Sequence, residues 1–138
     1  MAIFNKHQAF VENLAEKVHN LQADALTLYL TNTAPTVANS ILTDITQIAY
    51  TTLSSRVLTV SASVQTSGTY KLTINDITLT ASGGPAATFR YVGIYNDTPT
   101  SPVDPLIGWY DYGAAITLAD GESLLVDFDG TNGVLTIA

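Results

Sequence analysis

The sequence contains no cysteine, which excludes disulfides, thiol chemistry and the usual zinc sites built on cysteine. Charged residues are also scarce: they make up 12% of the 138 residues, about half the usual share. Thr, Ser, Asn and Asp must therefore provide most of the polar surface. Because 46% of the residues are hydrophobic, we expect a folded chain with a substantial core rather than a disordered one. The low charge also favours a protein whose surface is partly covered in an assembly.

Basic side chains are absent after Arg90, although the same part of the chain contains several aspartates and one glutamate. The whole chain has a formal net charge of −7, so its surface would repel phosphate groups. We therefore expect neither a nucleic-acid partner nor binding to an anionic membrane. No apolar run approaches the roughly 18 residues of a membrane-spanning helix. The polar stretch from Asn5 to Gln8 does not fit a signal peptide, so we expect synthesis in a cytoplasm.

Residues 1–22 predict an N-terminal amphipathic α-helix that forms an arm. Asn5 suits the N-cap, and Gln8 follows at the capping-box position. Apolar residues recur on one face at helical spacing, with polar residues opposite. This face would either cover part of the chain's own β domain or dock on another subunit. The candidate partner-contact residues are Phe4, Phe10, Val11, Leu14, Val18 and Leu21.

Residues 23–138 predict a β-sandwich domain, so that the fold class is all-β, sandwich-like or jelly-roll-like, with about eight strands and the N-terminal helix. Short alternating apolar runs are separated by Gly, Pro, Asn, Asp and Ser. Residues 25–31 place three leucines on one face of a strand, whereas residues 41–50 fit either a short helix or an extended chain. The alternation changes phase across Asn75-Asp76, which indicates a bulge or a tight turn. Asp120-Gly121 and Asp129-Gly130 predict hairpins.

The residues that carry catalytic chemistry do not cluster in the sequence. His7 and His19, if they lie on one helix, are roughly 18 Å apart and cannot share a metal. His19 falls on the polar face of that helix, where we expect solvent. Asp104, Asp111 and Asp120 are too weak a pattern for glycoside cleavage. We therefore predict no catalytic, cofactor-binding or metal-binding residues and no enzymatic activity.

Two features permit weaker functional interpretations. The stretch Asp127–Gly133 is similar to the start of a calcium-binding loop, but strands are predicted on both sides and Ala138 stands where such a loop needs glutamate. A hairpin turn is the better interpretation, with a weak cation site as the alternative. Trp109 and the nearby Tyr110 and Tyr112 suit either packing or a carbohydrate-binding face.

Several segments together resemble a family of small structural proteins of tailed bacteriophages, and the resemblance covers essentially the whole chain. The segments are FNKHQAFVENLAEKVHNL at 4–21, LTNTAP at 30–35, LTDITQIAY at 42–50, LTASGGPAATFRYVGIYND at 79–97, DPLIGWYDYG at 104–113 and ITLADGESLLVDFDGTNGVLTIA at 116–138. Most of these are strand and turn sequences.

The resemblance implies a virion component, and we interpret the chain as a capsid decoration, or cement, protein that binds the outside of an assembled shell. Its partner would then be the major capsid protein, and its location the capsid surface after synthesis in the bacterial host cytoplasm. Symmetry at a local axis of the shell favours a homotrimer or a homodimer. The alternatives are a tail- or fibre-associated structural protein and a glycan- or receptor-binding module, because fold alone does not separate them.

Overall fold

A computed structural model describes residues 2–138 as a mostly β structure, in which nine strands form three antiparallel sheets. The all-β prediction is confirmed, with one strand more than expected. The strands are β1 (Asn5–Lys6), β2 (Leu26–Thr31), β3 (Val60–Thr66), β4 (Thr69–Ile74), β5 (Ile77–Thr80), β6 (Phe89–Asn96), β7 (Leu106–Ile116), β8 (Ser123–Val126) and β9 (Leu135–Ile137). A helix, α1, spans Ala9–Ala15, and a 3₁₀ turn spans Leu42–Asp44.

Each of the three sheets includes at least one pair of strands that lie far apart in the sequence. The largest has the order β1-β7-β6-β2, the second β3-β4-β9, and the third β5-β8. The phase change at Asn75-Asp76 corresponds to the passage of the chain from β4, in the second sheet, to β5, in the third. The change of face therefore marks a change of sheet.

The main hydrophobic core takes buried side chains from all three sheets and from α1. The largest sheet contributes Leu28 and Ile94, the second Leu72 and the third Leu79, while Phe10 comes from the helix. Each of these side chains is almost fully shielded from solvent. Burying a side chain of this size contributes roughly 1.5–3 kcal/mol to stability, so this cluster is a major source of cohesion between the sheets.

Strand β2 is buried on both faces, which its alternating sequence did not predict. The three leucines of the strand face the main core, whereas Tyr29 belongs to a second cluster with Tyr95 and Trp109. Ile45, from the connection between β2 and β3, packs in that second cluster and covers it. The second face, which carries Thr27, Tyr29 and Thr31, is buried because a long loop, and not water, lies against it.

The connection at residues 32–59 also covers the outer edge of β2. The Leu28 N–H donates to the Arg56 carbonyl at 2.9 Å, and the Ile48 N–H donates to the Leu30 carbonyl at 3.1 Å. The ambiguous stretch 41–50 thus contains the 3₁₀ turn and then runs extended beside β2. This cover satisfies backbone groups that an open edge would leave free for pairing with another chain.

The N-terminal helix is much shorter than the amphipathic pattern predicted. Asn5 lies in β1, not at an N-cap, and the N-cap is Gln8 without a side-chain hydrogen bond. After α1 the chain turns through Lys17, which has a φ of 67°, and a compact turn follows in which the Asn20 N–H donates to the Asp24 carboxylate at 2.8 Å. Such side-chain bonds to the backbone compete with helix propagation. No helix in residues 2–138 has both the length and the apolar character needed to cross a membrane.

Both Asp-Gly sequences form turns, but the predicted hairpins are wrong. Strand β8 pairs with β5, and β9 pairs with β4, so neither turn joins two partners of one ladder. The Gly121 N–H donates to the Ala81 carbonyl at 2.8 Å, which ties the first turn to the end of β5. Gly130 lacks the positive φ that a two-residue hairpin turn of the common type requires. Pairing with earlier strands therefore overrides the local turn signal.

Candidate interaction surface

An open groove of about 500 Å³ lies where the N-terminal segment, β7, β8 and the loop before β9 meet. We call it the β7–β8 groove. Most of its surface is apolar or aromatic, and its charged side chains are both aspartates. The residues that line it are Ala2, Phe4, Val92, Tyr110, Tyr112, Leu124, Leu125, Val126, Asp127, Phe128, Asp129, Gly133 and Val134.

Three aromatic rings form a row in this groove. Phe4 and Tyr110 have ring centroids 5.4 Å apart, and Tyr110 and Phe128 have centroids 6.2 Å apart, all in tilted arrangements. Phe4 reaches this position because Gly108 has no side chain: a Cβ there would lie 2.3 Å from the Phe4 ring. Burial, helped by the charge of Asp129, raises the pKa of Tyr110 to about 12, so its phenol is neutral at physiological pH.

Two large side chains of the groove are more than half exposed. Tyr112 in β7 has 56% of its surface accessible, and Leu125 in β8 has 55%. An isolated exposed apolar residue needs no explanation, but these two line the same concave surface as the aromatic row. Together they extend the groove into an exposed apolar surface suited to a contact.

Asp127 and Asp129 give the groove a negative rim. The Asp129 carboxylate accepts hydrogen bonds from the Thr131 N–H at 2.9 Å and from the Asn132 N–H at 2.7 Å. The Asn132 backbone hydrogen bond is the main cause that holds the pKa of Asp129 below its ordinary value, so this carboxylate is ionised at physiological pH. Asp127 is exposed. The Asp127–Gly133 loop therefore uses one carboxylate to fix its own turn and presents the other to solvent.

Strand edges without partners flank the groove. Strand β8 pairs with β5 along one edge, and its other edge has no strand partner among residues 2–138. Strand β1 pairs with β7 only at Gly108 and Trp109, so that beyond Trp109 this edge of β7 is also without a strand partner in the described residues. Exposed backbone N–H and C=O groups at such edges can pair with an added extended segment.

The six predicted partner-contact residues do not share one surface. Phe4 lines the β7–β8 groove, whereas Phe10 and Leu21 are buried in the chain's own core, as the first of the two sequence interpretations expects. Val11 is 52% exposed, and Leu14 and Val18 are half-buried. Leu14 and Leu21 also border a shallower groove of about 350 Å³ beside β3, β4 and β9. Contact of any of the six with a partner stays a prediction, and so does the division of the chain at residue 22.

The histidines are not placed as the sequence suggested, because they flank α1 and do not lie on one long helix. The expectation that His19 is solvated is wrong: it is 6% exposed, and its Nδ1 accepts a hydrogen bond from the Asn96 side chain at 3.1 Å. His7 is fully buried, with Nδ1 3.1 Å from the Thr36 carbonyl and Nε2 3.1 Å from the Tyr29 hydroxyl. Burial lowers the pKa of each imidazole to about 4, so both are neutral at physiological pH.

Trp109 is unsuited to a carbohydrate-binding face, since it is 8% exposed and its ring lies 4.6 Å from that of His7. As the alternation predicted, it lies on the opposite face of β7 from Tyr110.

The three aspartates considered for glycoside cleavage have separate roles. Asp111 pairs with Arg90 at 2.8 Å, and Asp120 accepts from the Gly83 N–H at 3.0 Å. Burial and the neighbouring Asp97 raise the pKa of Asp104.

Residues 2–138 contain no group of three or more His, Asp or Glu side chains that could hold a metal ion. The β7–β8 groove was not predicted, because its walls come from both ends of the chain and from β7 between them. Two sequence predictions named residues that line it: Phe4 as a contact residue, and Tyr110 and Tyr112 as aromatics for packing or an interface. Comparison of the chain with family models, curated proteins and solved structures gives no match.

Proposed function

We propose that this chain is a virion structural protein of a tailed bacteriophage, which binds the outer surface of the assembled capsid and stabilises it as a decoration, or cement, protein. The resemblance of essentially the whole sequence to small phage structural proteins supports this function. The structural observation that carries it is the β7–β8 groove, an apolar concave surface suited to a protein contact. We also propose that the sheets pack as a sandwich of the jelly-roll type and that the protein is a homotrimer or homodimer on the shell.

The proposed role has a simple physical basis. A ligand that binds the assembled shell, and not its separate subunits, stabilises the shell by an amount that rises with the logarithm of the ratio of its free concentration to its Kd. If the decoration protein is itself an oligomer, several modest contacts combine into strong attachment. The low density of charge over the chain is compatible with a surface that is partly covered in such an assembly.

The first experiment determines the copy number and position of the chain on intact virions, by gel densitometry and cryo-electron microscopy. We expect many copies at symmetry-related sites over the shell, and a shell that disassembles at a lower temperature when the chain is omitted. A few copies restricted to the tail would contradict the decoration role and favour a tail- or fibre-associated component.

A glycan-binding module is the second candidate, and the exposure of Tyr112 is the observation that favours it. A half-exposed aromatic ring beside a groove can stack on a sugar. Glycan-array binding that is lost in Tyr112→Ala would support this function. Binding that is unchanged in that variant would place the sugar elsewhere.

A further inference from the structure

The β7–β8 groove combines three properties that together describe its occupant. Its wall is apolar, with Tyr112 and Leu125 exposed; its charged side chains, Asp127 and Asp129, are both negative; and it lies beside strand edges that have no partner in residues 2–138. An unpaired edge favours a segment in extended conformation, whose main chain can pair while alternate side chains enter the groove.

On the basis of the function proposed above, we propose that the β7–β8 groove binds an extended segment of the capsid protein that places an apolar side chain beside Tyr112 and Leu125 and a Lys or Arg beside Asp127 and Asp129. The apolar side chain would displace water from the groove. The cation would pair with carboxylates that have no lysine or arginine among the lining residues. The strand edge would supply main-chain hydrogen bonds.

The charges of the groove argue against other occupants. A nucleic-acid strand would bring phosphates against two carboxylates. A second copy of this chain in a two-fold arrangement would place the same acidic rim on both sides of the contact. Lys71, whose Nζ donates to the Thr131 carbonyl at 2.9 Å, offsets part of the charge of Asp129, and the two carboxylates with this lysine remain net negative. A partner with basic and apolar side chains in alternation is the complement of this surface.

The test measures binding of the full chain to shells of the phage that encodes it, prepared without the chain. One variant removes the apolar contact, Tyr112→Ser combined with Leu125→Ser, and another reverses the rim charge, Asp127→Lys. All three side chains are exposed, so we expect both variants to fold. The matched controls are Val64→Ser, at a residue 50% exposed on β3, and Glu16→Lys, at an exposed residue after α1.

We expect each groove variant to bind the shell about tenfold more weakly or worse, and both controls to bind like the unchanged chain. Increasing salt should weaken binding of the unchanged chain more than that of Asp127→Lys.

If the unchanged chain binds and the groove variants bind equally well, the groove proposal is wrong while the decoration function stands. If the unchanged chain does not bind shells, the decoration function fails, and the capsid segment proposed here fails with it. If light scattering shows that the groove variants break an oligomer of the chain, the occupant is a second copy and the proposal is overturned.

Discussion

Burial holds His7 and His19 in the neutral form, and each ring makes a hydrogen bond that a second ring proton would disrupt. At His7, Nδ1 faces the Thr36 carbonyl and must donate, so Nε2 accepts from the Tyr29 hydroxyl. At His19, Nδ1 accepts from the Asn96 amide, so the neutral ring carries its proton on Nε2. Protonation of His19 would bring two donors together, and protonation of His7 would require Tyr29 to reverse its hydroxyl.

We therefore predict that the free energy of unfolding falls as the pH is lowered from about 6.5 to about 4. The unfolded chain takes up protons on both imidazoles near their ordinary pKa of 6.5, whereas the folded chain binds them only near 4. Stability is thus complete above pH 6.5 and is lost progressively down to pH 4. At pH 5 the expected loss is about 1–2 kcal/mol for each histidine. Urea unfolding at a series of pH values measures it.

The controls are His7→Gln and His19→Gln, which keep a polar side chain but do not titrate. Each should reduce the slope of stability against pH between 6.5 and 4, even if it lowers stability at pH 7. A slope that stays the same in both variants would show that other groups cause it. The carboxylates with lowered pKa values, such as Asp44, Asp111 and Asp129, affect the free energy of unfolding in more acid solution.

The sequence could identify these two histidines but not their surroundings. The assignment of His19 to solvent assumed that the helical pattern continues through residue 19, and the turn at Lys17 ends that pattern. Its partner, Asn96, lies at the end of β6, and no local pattern connects the two positions. Residue environments that depend on distant segments in this way cannot be read from periodicity.

At the scale of elements, α1 is a seven-residue helix whose stability must come from packing. Isolated helices of this length are not stable in water, and its N-cap makes no side-chain hydrogen bond. Phe10 is 3% exposed in the main core and its ring lies 5.2 Å from that of His19, whereas the adjacent Val11 is 52% exposed. One face of the helix therefore packs on the core, and the adjacent face is exposed to solvent.

We predict that Phe10→Ala lowers the free energy of unfolding by about 3–5 kcal/mol, because it removes a buried ring and leaves a cavity. The matched control is Val11→Ala in the same turn of the helix, which should change stability by less than about 0.5 kcal/mol. Chemical denaturation of the two variants measures both. Equal effects of the two substitutions would show that α1 does not pack on the core as described.

The positions of most strands were predicted correctly, since alternation and turn residues are local features. Residues 25–31 correspond closely to β2. The pairing of the strands was not predictable from the same signals: Asp120-Gly121 suggested a hairpin, and β8 instead pairs with β5. The contacts that two strands make when they pair decide which strand is the partner. For strands far apart in the sequence, local patterns do not show these contacts.

At the scale of the whole molecule, the N-terminal residues and the β sheets form continuous structure. Strand β1 pairs with β7 at Asn5–Trp109 and Lys6–Gly108, and the His7 N–H donates to the Ile107 carbonyl at 3.1 Å. Phe10 and Leu21 add apolar contacts to the same core. These contacts lead us to expect one cooperative unit rather than an arm that opens by itself.

Native-state hydrogen exchange tests this expectation. The opening free energy of the His7 amide should match that of the Leu28 amide, in β2 at the opposite edge of the largest sheet, to within about 1 kcal/mol. The Val11 amide is a useful internal comparison because it lies in the same N-terminal segment. Much faster exchange at His7 than at Leu28 would support a separate arm at residues 1–22.

The β7–β8 groove shows why a surface of the whole molecule is difficult to predict from sequence. Phe4, Tyr110 and Phe128 become neighbours only when β1 lies beside β7 and the loop after β8 closes on them. Composition did indicate the sign of the surface, since the last third of the chain has acidic and no basic residues. Charge is a property of composition, whereas concavity is a property of the assembled fold.

The pairing of β1 with β7 also sets an order of events during synthesis on the ribosome. Asn5 and Lys6 emerge early, but their partners Trp109 and Gly108 emerge only after most of the sheet-forming chain has been made. Until then the aromatic ring of Phe4 lacks Tyr110, beside which it lies, and the buried face of α1 lacks part of the core on which it packs. The nascent chain therefore exposes apolar surface for most of its translation, and this interval is when it is most open to chaperones or to aggregation.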